Sequence, residues 1–408
     1  MADDQKGKGL GALNWLNFFA ADVSTGVGPF LAVYLTSNLH WNAAQIGIAL
    51  SAMSFSSVLA QAPAGYIIGR TAHKRATIIS ACIVMGVMSF SIPFFSNFTY
   101  IIIAQVLMGF AGAFYIPTLI ALAVSMAKKE TFDGIISKNQ SYNHAGNVAA
   151  AIFIGVVGRF TNNEGIFYCL ATLAILCTIT ALAIPKDQVD KSEHKSGDAG
   201  NRKSIKEILG NRQILIFLFV TFGFHLANGA MLPLVGQEVS KGKSADSSLY
   251  LSACVVVAQL VMVPVCYLCG KYVDRGRKWL LIIAYMVLPV RGMMYIPSSN
   301  PYYFISIQVL DGVAAGIFGV VSILVMADLM GKSNKASFSQ GLLVTAAGLG
   351  SSVSNVAAGF IVDAVGFKTG FIVLSAFAAA ALLLLWLAVP ETLPGRSKKT
   401  SFRPLFAT

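Results

Sequence analysis

Apolar stretches of about twenty residues, the length that crosses a hydrocarbon core of roughly 30 Å, recur along nearly the whole chain. They predict twelve transmembrane helices over 10–37, 43–69, 75–96, 99–127, 139–160, 164–184, 211–237, 247–271, 278–297, 300–330, 335–364 and 368–389. Only 12% of the residues are charged, against roughly 25% in soluble domains, so the solvent for most of these side chains is lipid. The first apolar segment follows a short charged stretch, Met1 to Gly9, and has no small-residue cleavage site. It reads as a retained helix and not as a signal peptide.

The net charge of +12 suggests nucleic acid until the charges are placed. With the N-terminus on the cytoplasmic side, 25 of the 30 Lys and Arg residues fall on that side, and Arg159, Lys241, Lys243 and Lys368 fall on the other. This positive-inside bias predicts cytoplasmic termini. The basic balance therefore reports topology and implies no nucleic-acid partner. The six cysteines all lie in apolar segments, where a thiol behaves as a small hydrophobe, which argues against a disulfide framework. Cys266 and Cys269 form a C-x-x-C, but without the βαβ pattern that a redox role needs.

One segment breaks the apolar rhythm. Residues 185–210 are polar and of mixed charge, which reads as a cytoplasmic linker, with a short amphipathic surface helix expected over Ser204 to Leu209. The predicted organisation is an N-terminal six-helix bundle (1–184), the linker (185–210), a C-terminal six-helix bundle (211–389) and a cytoplasmic tail (390–408).

The two halves read as copies. Gln105-Val106-Leu107-Met108-Gly109 is matched 203 residues later by Gln308-Val309-Leu310-Asp311-Gly312. Asn147-Val148-Ala149-Ala150 is matched at an offset of 208 by Asn355-Val356-Ala357-Ala358, and Gly65 and Arg70 are answered at 205 by Gly270 and Arg275. Small residues recur in any packed transmembrane helix, but polar Gln and Asn at depth are rare, so duplication explains the matches better. Parallel repeats about an axis along the membrane normal form transporters with a site at the repeat interface.

The cytoplasmic end of span two reads Gly65-Tyr66-Ile67-Ile68-Gly69-Arg70-Thr71-Ala72-His73-Lys74, and the end of span eight reads Gly270-Lys271-Tyr272-Val273-Asp274-Arg275-Gly276-Arg277-Lys278. Both resemble the G-x-x-x-D-R-x-G-R-K signature of the major facilitator superfamily. The first copy has Gly69 in place of the Asp, and the second is one residue short. Asp22-Val23-Ser24-Thr25-Gly26-Val27-Gly28-Pro29-Phe30, Tyr142-Asn143-His144-Ala145-Gly146-Asn147 and Pro390-Glu391-Thr392 are similar to bacterial members near the drug-exporter and siderophore-transporter branches. The resemblance covers residues 10–389 and implies an all-α integral membrane fold, twelve transmembrane helices in two pseudo-symmetric six-helix bundles. It also implies a cavity lined by spans one, four, seven and ten, with five and eleven adding to the wall. Gly65, Arg70, Gly270, Asp274 and Arg275 become the expected cytoplasmic gate, the glycines permitting close helix approach and the charges pairing across the closed seam.

An ionised side chain at bilayer depth costs at least ~2.5–3.5 kcal/mol, so each one is a candidate functional group. Asp22 and His225 fall near the centres of spans one and seven, Asp311 near the centre of span ten and His144 in the cytoplasmic third of span five. These four are the proton-coupling candidates. Arg291, in the outer part of span nine, either pairs with Asp311 across the hairpin or snorkels toward the headgroups. Asn17, Tyr115, Asn143, Asn147, Asn228 and Gln308 join Arg291 as candidates for binding a solute through directional hydrogen bonds. Asn14, Gln105, Gln340 and Asn355 offer the same chemistry; the duplicated Gln105 and Gln308 fit a symmetric structural role first.

No Walker loop, H-E-x-x-H, G-x-S-x-G or metal-ligand cluster occurs, so neither an enzyme, a cofactor nor a metal site is expected. The energy for transport then comes from a gradient. Protons suit a set of two carboxylates and two histidines, because histidine changes charge near neutral pH. The expectation is a proton-coupled carrier of a small organic solute, drug-like or siderophore-like, in a bacterial inner membrane, with substrate, protons and lipid as its partners. An uncoupled facilitator and a non-transporting receptor or assembly protein of the same fold are the alternatives.

Overall fold

The computed structural model describes residues 2–126, 132–185, 210–241, 246–330 and 336–393. The predicted linker between its two end residues, the tail beyond 393 and the side chain of Gln340 lie outside the described residues. Ten helices are long and apolar enough to cross a membrane; Phe132–Phe160 and Lys278–Met294 run beside them to complete twelve spans in two six-helix bundles. No strand occurs among the described residues.

Three spans predicted as continuous are broken. Span one is two helices, Ala2–Val23 and Gly28–Ser37, span four is Phe98–Gly112 and Tyr115–Met126, and span seven is Arg212–Asn228 and Met231–Ser240. The cause is legible in the chain, because Pro29, Pro117 and Pro233 each stand four residues after the break positions Thr25, Ala113 and Gly229. Proline has no N–H to return to the carbonyl four residues back, and its ring crowds that carbonyl. Span ten, Pro301–Met330, has Val320 where the repeat would place a counterpart of Pro117, and it runs unbroken. At the break in span one, Gly26 takes φ +65°, a conformation that costs glycine little.

Each half has its own apolar core. Leu16, Met85, Met108, Leu122, Phe167 and their neighbours fill the first bundle. Phe217, Phe224, Leu281, Tyr285 and Val321 fill the second, and a smaller cluster around Met231, Tyr295, Phe304 and Phe371 caps its far end.

The halves meet along two glycine-lined seams. Between spans two and eleven, a Cβ on Gly47 would lie 2.3 Å from the carbonyl oxygen of Asn355, and one on Gly359 2.5 Å from that of Ala43. Between spans five and eight, a Cβ on Gly155 would lie 2.3 Å from the Cβ of Ser252. Only glycine lets backbones approach so closely. Ser51 Oγ donates to Ser352 O (2.7 Å) and Ser252 Oγ to Ala151 O (2.5 Å) across the seams, and Arg159 pairs with Asp246 at 2.9 Å. At the opposite ends of these helices, a Cβ on Gly65, Gly69, Gly270 or Gly341 would meet nothing within 4 Å. The halves are therefore closed against each other at one membrane face and parted at the face that carries Arg70 and Arg275.

Candidate functional site

A cavity of about 300 Å³ lies between the halves, beside the seam of spans two and eleven. From the first half it is lined by Thr25, Pro29, Leu50, Met53, Ser54 and Gln105, and from the second by His225, Asn228, Leu232, Asp311, Ser351 and Asn355, among others. Arg291 reaches this wall from span nine, a span the resemblance makes peripheral. Span two contributes three of the lining residues, and no lining residue comes from span five.

The wall is organised around Arg291, which is 1% exposed. Its guanidinium pairs with Asp311 Oδ1 at 2.7 Å, and it donates to Tyr295 Oη (2.9 Å), Gln308 Oε1 (3.0 Å) and Asn228 Oδ1. Gln308 Nε2 in turn donates to Tyr295 Oη at 2.9 Å and to Phe304 O at 3.1 Å. Of the two arrangements the sequence allows for Arg291, the structure has the ion pair. A buried guanidinium is tolerable only when its charge is paired and its N–H groups find acceptors, and this network pairs the charge and engages four of the five N–H groups.

The duplicated glutamines have unlike surroundings. Gln308 is saturated and fully buried, whereas Gln105, 2% exposed, leaves Nε2 without a partner at the cavity wall. His225 is on the wall with its ring edge-to-face on Phe318, centroids 5.4 Å apart. Asp22 is not among the lining residues. Its carbonyl accepts from Thr25 N and Oγ1 at the helix break, while its carboxylate oxygen Oδ2 is buried with no partner. Asp22 and His225, 203 residues apart like Gln105 and Gln308, thus differ in their access to the cavity.

The remaining candidates lie within the first bundle. Asn17 donates to Leu13 O (2.8 Å) along its own helix, and Asn143 donates to Asn17 O (3.4 Å), tying span five to span one. His144 Nδ1 is buried without a partner, and Asn147 is half-buried one turn further along. Tyr115 is fully buried and its hydroxyl lies 3.2 Å from Cys82 Sγ in the packing of spans three and four.

At the parted face, Arg70 stacks over Tyr66 (4.2 Å) and Arg275 over Tyr272 (4.9 Å), with Asp274 exposed in the 3-10 turn Val273–Arg275. Beside them is a cluster that sequence reasoning missed. Arg277 pairs with Asp328 and donates to Leu324 O, while the Glu391 carboxylate accepts from the backbone N–H of Arg277 (2.9 Å) and Lys278 (3.2 Å). The signal was the Pro390-Glu391-Thr392 fragment, whose acid follows the last span as a ready acceptor for an uncapped helix start. The wall contributed by span two was likewise readable, from Ser51, Ser54 and Ser56 in an apolar helix.

Comparison with known proteins agrees with this architecture. A family model described as Major Facilitator Superfamily matches residues 13–337 and 270–407. An uncharacterised MFS-type transporter of Mycobacterium tuberculosis is 35% identical over 388 residues, covering 93% of each chain. An uncharacterised transporter of Bacillus subtilis is 22% identical over 75% of each. Among solved structures, the nucleoside transporter NupG superposes with a TM-score of 0.74 at 13% identity, covering 94% of this chain and 99% of that one. A bacterial homologue of the human lysosomal transporter Spinster, inward-facing and unoccupied, gives 0.73 at 14% identity over 94% and 96%.

Proposed function

The chain belongs to the major facilitator superfamily, and from that premise we propose that it moves a small organic solute across a bacterial inner membrane by alternating access, driven by protons. The observation that carries this reading is the cavity wall. Among the described residues, Arg291 and Asp311 are the only Lys, Arg, Asp or Glu residues lining the cavity, and they form an ion pair there, with His225 on the same wall. A carboxylate held by a guanidinium can exchange that partner for a proton, and the exchange alters the wall that the solute meets. Asp22 offers a second proton site, a buried carboxylate oxygen with no protein donor, and His144 a buried ring nitrogen in the same condition.

The charge bias orients the parted face, with both termini, toward the cytoplasm, so this conformation is inward-open on that reading. Closure would bring the helix ends around Gly65 and Gly270 together, carrying Arg70, Asp274 and Arg275 toward one another across the seam. The open space beside both glycines in this state is the room such a movement needs.

Purified protein in proteoliposomes tests coupling. Solute accumulation should follow an imposed pH gradient, and Asp311→Asn and Asp22→Asn should each abolish accumulation while leaving solute exchange partly intact. Full gradient-driven uptake by both folded variants would remove the coupling mechanism. Uptake indifferent to the gradient in the unaltered protein would identify an uncoupled facilitator.

A further inference from the structure

We propose that the cavity selects a small, uncharged, hydroxyl-rich solute, a sugar or polyol, held between Gln105 of the first half and the Asn228–Asp311 edge of the second. This deepens the transport reading and rests on it. Charge comes first. Arg291 and Asp311 cancel within one pair, and His225 when neutral adds nothing, so a solute of either sign would enter without a counter-charge of its own. Leaving a charge unpaired at such a site is costly.

Anionic solutes meet a further obstacle. Arg291 already donates to Asp311, Asn228, Gln308 and Tyr295 and is 1% exposed, so its planar fork is not available for a carboxylate or phosphate. Aromatic and amphiphilic cationic solutes lack their usual platform, because no Phe, Tyr or Trp lines the cavity among the described residues. Stacking and cation–π attraction need such a face. The volume of about 300 Å³ stands at the small end of ligand pockets, roughly 300–1,000 Å³. These features depart from the drug-like or siderophore-like solute that the family resemblance implies.

What the wall does offer is paired donors and acceptors. Gln105 Nε2 is a buried donor with no protein partner, an arrangement that native proteins seldom leave unfilled. Asn228 lines the cavity with Oδ1 occupied by Arg291, which leaves its amide N–H groups as the donors it can offer, and the Asp311 side chain is 16% exposed and accepts from Arg291 through Oδ1 alone among the described residues. Ser54 and Ser351 add hydroxyls from spans two and eleven. A solute hydroxyl donates and accepts at once, so a polyol can fill donor and acceptor positions on opposite walls. Bridging the two halves is also what alternating access asks of its solute.

The experiment is a counterflow panel in proteoliposomes at fixed pH, with glucose, xylose and sorbitol against tetraphenylphosphonium, benzoate and citrate. Saturable counterflow of one or more of the uncharged probes is expected. Gln105→Met should raise its half-saturation at least about tenfold, the loss of one good hydrogen bond of about 1.4 kcal/mol, and Ser54→Ala should raise it by a smaller factor. Thermal stability of each variant establishes that it is folded. Preference for tetraphenylphosphonium, benzoate or citrate, no binding of any uncharged probe, or unchanged half-saturation in both folded variants would each overturn the substrate class. Net uptake of a polyol that ignores an imposed pH gradient would instead overturn the coupling and leave the substrate class intact.

Discussion

Replacing Arg291 by Met removes a guanidinium that is 1% exposed and spent on four side chains. It leaves the Asp311 carboxylate without its counter-charge, and Gln308 Oε1 and Asn228 Oδ1 without donors. Breaking one side of a buried pair costs about 3–5 kcal/mol, because the orphaned charge stays in low dielectric. The Asp311 side chain is 16% exposed, and partial hydration argues for the lower figure, about 3 kcal/mol. With an unfolding entropy of about 2.1 cal/mol/K per residue and cooperative unfolding of about 180 residues, that corresponds to a fall in Tm of about 8 °C. A thiol-reactive fluorophore reads the transition in detergent without added labels, since all six cysteines are free and five are buried. The double variant Arg291→Met with Asp311→Leu removes both charges and should recover more than half of the loss, as expected when a desolvated pair is replaced by apolar groups. A single variant as stable as the unaltered protein, or a double variant less stable than the single, would refute the reasoning.

Two further outcomes follow from the same structure. Gly47→Leu should part the closed seam, because even a Cβ there would lie 2.3 Å from Asn355 O; a cysteine at position 65 or 341 should then lose its reactivity toward a bulky maleimide as the other face closes, and unchanged reactivity would count against the two faces moving as alternatives. Cysteine substituted for Lys241 should react with an impermeant reagent on intact cells, whereas cysteine at Asp190 or Ser401 should react only after permeabilisation; labelling at either of the latter positions would overturn the assigned orientation.

Much of the architecture was legible because it depends on averages over many residues. Apolar length gives the spans, and the duplicated fragments around Gln105 and Gln308 give two related halves. The helix breaks were also written in the chain, in Pro29, Pro117 and Pro233, but a hydropathy window does not register an effect confined to one missing N–H. Side-chain environment was less accessible. Gln105 and Gln308 occupy the same place in the repeat, yet whether an amide is filled depends on Arg291 and Tyr295, which approach Gln308 from span nine and its end; Asp311 in span ten signals the arginine, but nothing there brings either side chain onto Gln308. Glu391 was visible as part of a fragment, but its contact with Arg277 spans 114 residues.

The departures from symmetry suggest how the two halves divide the work. At the cavity the second half holds its charges in one network, Arg291 with Asp311, Gln308, Asn228 and Tyr295, beside an unbroken span ten. The first half has two broken spans facing it, and its buried polar atoms at Asp22, Gln105 and His144 lack partners. Unfilled groups are costly in the resting state, and that cost falls when a proton or a solute supplies the missing bond. A group that lacks its bond changes the energy of the wall with occupancy, and so does the Arg291–Asp311 pair when a proton replaces the guanidinium. A ligand shifts a conformational equilibrium only by its difference in affinity for the two states. On this argument the vacancies of the first half and the exchangeable pair of the second both supply the energy difference that occupancy converts into movement.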